Sequence, residues 1–143
     1  MRVPMLLSWL AMSLILAAGC DSSMEPAGQP TVAAELNVPF TLAPGQTAVL
    51  ADASLTLTFQ GVTEDGRCPI DTVCIAAGQA ATAVHATQDG SAAVTLTLIL
   101  PAAAEGVPYA GCRVHAESLL PVPISDRTIR PEEYRLQLLV DRP

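Results

Sequence analysis

Ser54-Leu55-Thr56-Leu57-Thr58-Phe59-Gln60-Gly61-Val62 is the stretch that decides the fold class. Leu55, Leu57 and Phe59 project to one side of an extended chain, and Thr56, Thr58 and Gln60 to the other. That period of two is the signature of a strand with one face on a core and one in water. Working outward, the same alternation recurs. Residues 82–87 and 92–100 flank Gln88-Asp89-Gly90-Ser91, and Asp-Gly supplies the positive φ angles of a tight hairpin turn. Val94, Leu96, Leu98 and Leu100 form one face of the second arm. Cys112, Val114 and Ala116 alternate with Arg113, His115 and Glu117, and Tyr134, Leu136, Leu138 and Val140 alternate with Arg135 and Gln137. Before the deciding stretch, Leu36, Val38 and Phe40 alternate as well, and residues 47–50 can form a short strand after the Pro44-Gly45 turn. A single helical turn is expected at Pro131-Glu132-Glu133, where Pro sits at a permitted early position. No convincing long amphipathic helix and no internal repeat follows residue 20. About seven short strands with turns between them predict an all-β domain over 35–143, a small antiparallel β-sandwich or barrel.

The N-terminus reads differently. Arg2 is the only charge before an apolar run from Met5 to Ala18, and Ala17-Ala18-Gly19 leads into Cys20. A basic start, a short apolar run and small residues predict a signal peptide over 1–19. The run is too short to span a bilayer, which needs roughly 20 apolar residues. Leu16-Ala17-Ala18-Gly19-Cys20 resembles the lipobox of bacterial lipoproteins, although the family's usual large aliphatic residue three places before the Cys is Ala17 here. The resemblance implies that Cys20 is lipidated and becomes the first residue, which places the protein in the cell envelope, its domain facing the periplasm or exterior. An ordinary secreted chain with a chance Cys at this position is the alternative. Residues 20–34, rich in Ser, Pro, Gly and Gln and without apolar periodicity, read as a flexible tether.

Composition narrows function. The seven basic residues are all arginine and scattered, and the chain carries a net charge of −7. A nucleic-acid binder needs a basic patch that displaces counterions, so nucleic acid is not an expected partner. Trp9 precedes Cys20, and Phe40, Phe59, Tyr109 and Tyr134 are the only aromatic residues beyond it. A stacking platform for bases or sugars is therefore not expected.

Three cysteines lie beyond Cys20, and export permits a disulfide. Arg67-Cys68-Pro69-Ile70-Asp71-Thr72-Val73-Cys74, with Gly78 after it, resembles a motif of uncharacterised bacterial exported proteins. It has the form Arg-Cys-Pro-x-Asp-x-x-Cys-x-x-x-Gly after a strand. Leu120-Pro121-Val122-Pro123 and Glu133-Tyr134-Arg135-Leu136 are similar to later parts of that family, whose members tend to carry an aromatic residue where this chain has Ala76. The family brings no activity with it. Cys68 and Cys74 are close enough in sequence to staple the loop, and pairing of either with Cys112 is the alternative. Zinc binding by the pair lacks a third Cys or a His nearby, and thioredoxin-like chemistry needs a Cys-x-x-Cys. Cys112 shares the apolar face of its strand and reads as a buried thiol, with an intermolecular disulfide as the alternative.

The expected function is a non-enzymatic scaffold or protein-binding module displaying the stapled loop, attached to the membrane by lipid. Arg67 is the expected binding anchor, with Asp71 beside it, because Arg makes bidentate contacts and is enriched at hot spots. On that reading Arg67→Ala leaves the melting temperature almost unchanged. The alternative is a loop whose staple only orders a crossover. Two other classes remain open. A copper or zinc site would need His85 and His115 on adjacent strands, with Glu117. A hydrolase would need a nucleophile and base, yet no Gly-x-Ser-x-Gly elbow is present, and Ser91 lies in a turn. The acid pairs Glu64-Asp65 and Glu132-Glu133 read as solvated or capping charges. No cofactor is expected.

Overall fold

A computed structural model describes residues 30–143, which form an all-β sandwich of two sheets. The nine strands are β1 (Val32–Ala34), β2 (Phe40–Leu42), β3 (Thr47–Leu50), β4 (Leu55–Asp65), β5 (Ala80–Gln88), β6 (Val94–Leu100), β7 (Val107–Tyr109), β8 (Cys112–Leu120) and β9 (Arg135–Asp141). One sheet has the order β1-β3-β4-β5-β6 and the other β2-β9-β8-β7. All pairings are antiparallel except β1 with β3. The two helical pieces among the described residues are single 3-10 turns, Ala51–Ala53 and Pro131–Glu133.

Alternation builds the core. Leu55, Leu57 and Phe59 of β4 are buried, as are Leu96, Leu98 and Leu100 of β6. Facing them are Cys112, Val114 and Ala116 of β8 and Leu136, Leu138 and Val140 of β9. Thr82 is the one buried polar residue among those described, and its hydroxyl donates to the Leu98 carbonyl at 3.0 Å. A polar group taken from water is tolerable when so satisfied. The 88–91 turn takes the expected form, with φ of 49° at Asp89 and 70° at Gly90.

Three expectations require correction. The strand count is nine rather than about seven, because β1 and β7 are short and lack alternation. The stretch from Leu36 to Val38 is a turn: Asn37 has a φ of 63°, its N–H donates to the Val140 carbonyl, and pairing starts only at Phe40. The segment read as tether ends earlier than 34, since residues 32–34 pair in parallel with 48–50. Cys20, the 1–19 signal peptide and the tether up to residue 29 lie outside the described residues.

The ends of the sandwich differ. At one end sit the 66–79 loop between β4 and β5, the 121–134 connection between β8 and β9, and the start of the 101–106 connection. The chain enters β1 from this direction, with the Pro30 carbonyl held by Gln46 Nε2 at 3.2 Å. The opposite end holds the 88–91 turn, the 110–111 turn and the exit from β9.

Candidate functional site

The 66–79 loop extends the β4–β5 hairpin through a narrow neck. Gly66 N–H donates to the Gln79 carbonyl and Cys68 N–H to the Ala77 carbonyl, each at 2.8 Å. Gly78 makes this closure possible. It has a φ of 70°, and a Cβ there would lie 1.8 Å from the Gly66 carbonyl oxygen. Both the backbone conformation and the space therefore require glycine. Beyond the neck Cys68 and Cys74 form a disulfide, with Cα atoms 6.0 Å apart. Cys112 is buried and has no disulfide partner among the described residues.

A second set of bonds docks the loop onto the strand end beside it. Arg67 Nε and Nη2 bind Asp65 Oδ1 and Oδ2 at 2.7 and 2.6 Å in a bidentate fork. The same guanidinium donates to the Leu119 carbonyl at 2.6 Å and the Pro121 carbonyl at 3.0 Å. Tyr134 completes the cluster, its hydroxyl donating to Asp65 Oδ2 at 3.1 Å. Farther out, Ile70 N–H donates to the Pro123 carbonyl, and Asp71 Oδ1 accepts from the Ser125 N–H at 2.9 Å and hydroxyl at 3.0 Å. The loop is thus joined to 119–125 at three points.

Electrostatics follow the contacts. The Arg67 hydrogen bonds hold the Asp65 carboxyl below the ordinary carboxylate range, against the opposing effect of burial. Burial, with the Asp65 charge added, raises the Tyr134 phenol above its ordinary value. Asp71 is lowered chiefly by the Ser125 backbone N–H. Glu133 is lowered first by the Arg130 N–H, which donates to its carboxylate at 2.8 Å, and then by Arg127. Glu133 is therefore a capping charge, as expected from sequence.

The geometry overturns the role expected for Arg67. Its side chain is only 15 % exposed, and each of its three guanidinium nitrogens already donates to this chain. A group so engaged is an internal clamp, with four of its five N–H donors committed within the chain and little of its surface left for a partner. Asp71 is exposed, yet its Oδ1 is likewise committed to Ser125. The condition for a two-histidine site is also unmet. His85 lies in β5, paired with β4 and β6, whereas His115 lies in β8 of the other sheet, paired with β7 and β9. His115 Nε2 is 3.2 Å from Asp141 Oδ1, and its ring packs beneath Gly106, where a Cβ would come within 2.7 Å of it. Among the described residues no group of three or more His, Cys, Asp or Glu is placed to hold a metal ion.

What the loop offers outward is apolar. Ile70 is 68 % exposed, Val73 98 %, and Ile75 fully exposed. Leu120, Val122 and Ile124, on the segment to which the loop is docked, are exposed as well. Sequence reasoning attended to the charges of the loop and passed over these side chains. Their signal was present: three aliphatic residues within six positions, at a place where a short stapled loop cannot bury them. No protein-family model, curated protein or solved structure matches this chain.

Proposed function

We propose that this protein is a non-enzymatic lipoprotein of the cell envelope, a rigid β scaffold attached to its membrane through lipid on Cys20. Its contact surface is the outer edge of the stapled loop. One observation carries the reading: Ile70, Val73 and Ile75 stand in water on a loop held by a disulfide, a hydrogen-bonded neck and the Arg67 clamp. Aliphatic side chains fixed in water forgo roughly 1.5–3 kcal/mol each that burial would return. A contact made by a preorganised loop loses little conformational entropy on forming.

The test uses cells producing the full chain. A photoreactive amino acid at position 73 is compared with one at Val94, which is exposed near the opposite end of the sandwich. Adducts to lipid or protein from position 73, with few from 94, support the reading. Equal yields at the two sites, or none at 73, refute it. Labelled fatty acid should enter the chain and should not enter Cys20→Ala; a Cys20→Ala chain that still labels refutes the anchor.

A further inference from the structure

We infer that the stapled loop seats the domain on the bilayer: Ile70, Val73 and Ile75 enter the interfacial region of the membrane to which Cys20 is attached. The inference rests on the proposed lipid anchor and adds the identity of what the loop touches. Three independent features of the molecule lead to it.

The first is where the chain enters the domain. Pro30 is held by Gln46, next to the residues that pair with Phe59. From there β4 continues to Asp65 before the loop begins, so the loop tip stands ahead of the entry point by about 20 Å at 3.3 Å per residue. Nine residues lie between Cys20 and Pro30, and the ten steps from one to the other can reach at most about 35 Å. A membrane approached from this end meets the loop first, and the chain between is long enough to allow contact. The exposed turns at the opposite end face away from it.

The second is the chemistry of the tip. Residues 70–77 are Ile, Asp, Thr, Val, Cys, Ile, Ala and Ala, with no aromatic ring and no Arg. Protein hot spots are enriched in Trp, Tyr and Arg, and Arg67 is spent inside the domain. Protruding aliphatic side chains without a polar anchor match an acyl-chain boundary, which asks for apolar area and no directional bond.

The third is charge. Of the arginines at this end, Arg67 pairs with Asp65, Arg127 with Glu133, and Arg130 with Glu132 and Glu133, while the exposed Arg135 donates to the Glu132 and Tyr134 carbonyls and stands alone as a cation without a carboxylate partner among the described residues. Among the described residues, one such arginine does not make a basic cluster that could collect phosphate groups. The contact is therefore apolar, and with a net charge of −7 on the chain it is not strengthened by anionic lipid or weakened by salt.

The full-length lipoprotein is purified from membranes and reconstituted in phosphatidylcholine vesicles with brominated acyl chains. Val73→Trp and Ile75→Trp report from the tip, and Val94→Trp from the far end. Trp9 precedes the cleavage position, so each processed chain carries a single indole. Both tip sites lie outside the core, and unchanged melting temperatures confirm folding. The expected result is blue-shifted emission at the two tip sites and quenching at least about threefold stronger than at 94. Added phosphatidylglycerol should not strengthen the quenching, and high salt should not weaken it. Equal quenching at all three sites overturns the inference. If position 73 then yields protein adducts in cells, the loop contacts a protein, and the proposed function stands without the membrane seat. If it yields neither lipid nor protein adducts, both fall.

Discussion

Arg67 carries more of the fold than any other charged residue among those described. Its fork closes on Asp65 while Nη1 and Nη2 also donate to the carbonyls of Leu119, at the end of β8 in the other sheet, and of Pro121 just beyond it. Replacing it by Ala leaves a mostly buried carboxylate with the Tyr134 hydroxyl but no cation, and takes the side-chain donor from two carbonyls, the costly way to break a pair. Arg67→Ala should therefore cost about 3 kcal/mol, lowering the melting temperature by on the order of 10 °C or more by calorimetry. Arg67→Lys should recover only part of the loss, since an ammonium cannot make the planar fork. The same cluster sets an acid limit. A carboxylate held below its ordinary value contributes stability above the ordinary carboxylate range and loses it as pH falls through the lowered value. Melting temperature should thus fall as pH drops below the ordinary carboxylate range, and less steeply in Arg67→Ala, where Asp65 no longer has its main partner. None of this was legible from the loop itself. The acceptors lie 52 and 54 positions away, and a carbonyl leaves no mark in a sequence.

At the scale of elements, legibility followed burial. The β4, β6, β8 and β9 strands each set apolar side chains on one face over several residues, and the stretches read from alternation coincide with them. β7 escaped because it has three residues with Pro108 in the middle, a composition suited to an edge position. Leu36, Val38 and Phe40 misled for the opposite reason: the alternation was there, but Asn37 turns the chain. The Cys68–Cys74 staple was readable because its partners are near in sequence, whereas the docking of the loop onto 119–125 was not. Cys68→Ser with Cys74→Ser should cost roughly 2 kcal/mol, the chain-entropy value for so short a loop, leaving the strand circular dichroism intact. Gly78→Ala should be worse than the double change, because the added methyl meets the Gly66 backbone and the neck must open. Chemical denaturation of the three chains side by side checks the order; a Gly78→Ala chain as stable as the original would contradict it.

For the molecule as a whole, an all-β sandwich was foreseeable from spacing alone, whereas its edges and the membership of each sheet were not. Sheet order depends on pairings between distant strands, such as β2 with β9, that no local pattern records. The parallel β1 strand is the clearest case, drawn from residues that look like connector. It packs Val32 and Ala34 against the core. A chain starting at Glu35 should accordingly melt lower than one starting at Pro30, with the same overall circular dichroism; equal melting temperatures would show that β1 adds nothing. That strand also decides how the domain bears a pull. Because β1 runs alongside β3 in the same direction and the chain enters it at the end opposite the exit from β9, tension between the two termini acts along the strand axis. The bonds from 32–34 to 48–50 then share the load in shear, where a hairpin pulled from its open end would yield them one by one. A domain pulled by its leading segment would keep its first strand by geometry, with the rest of the sandwich shielded behind it.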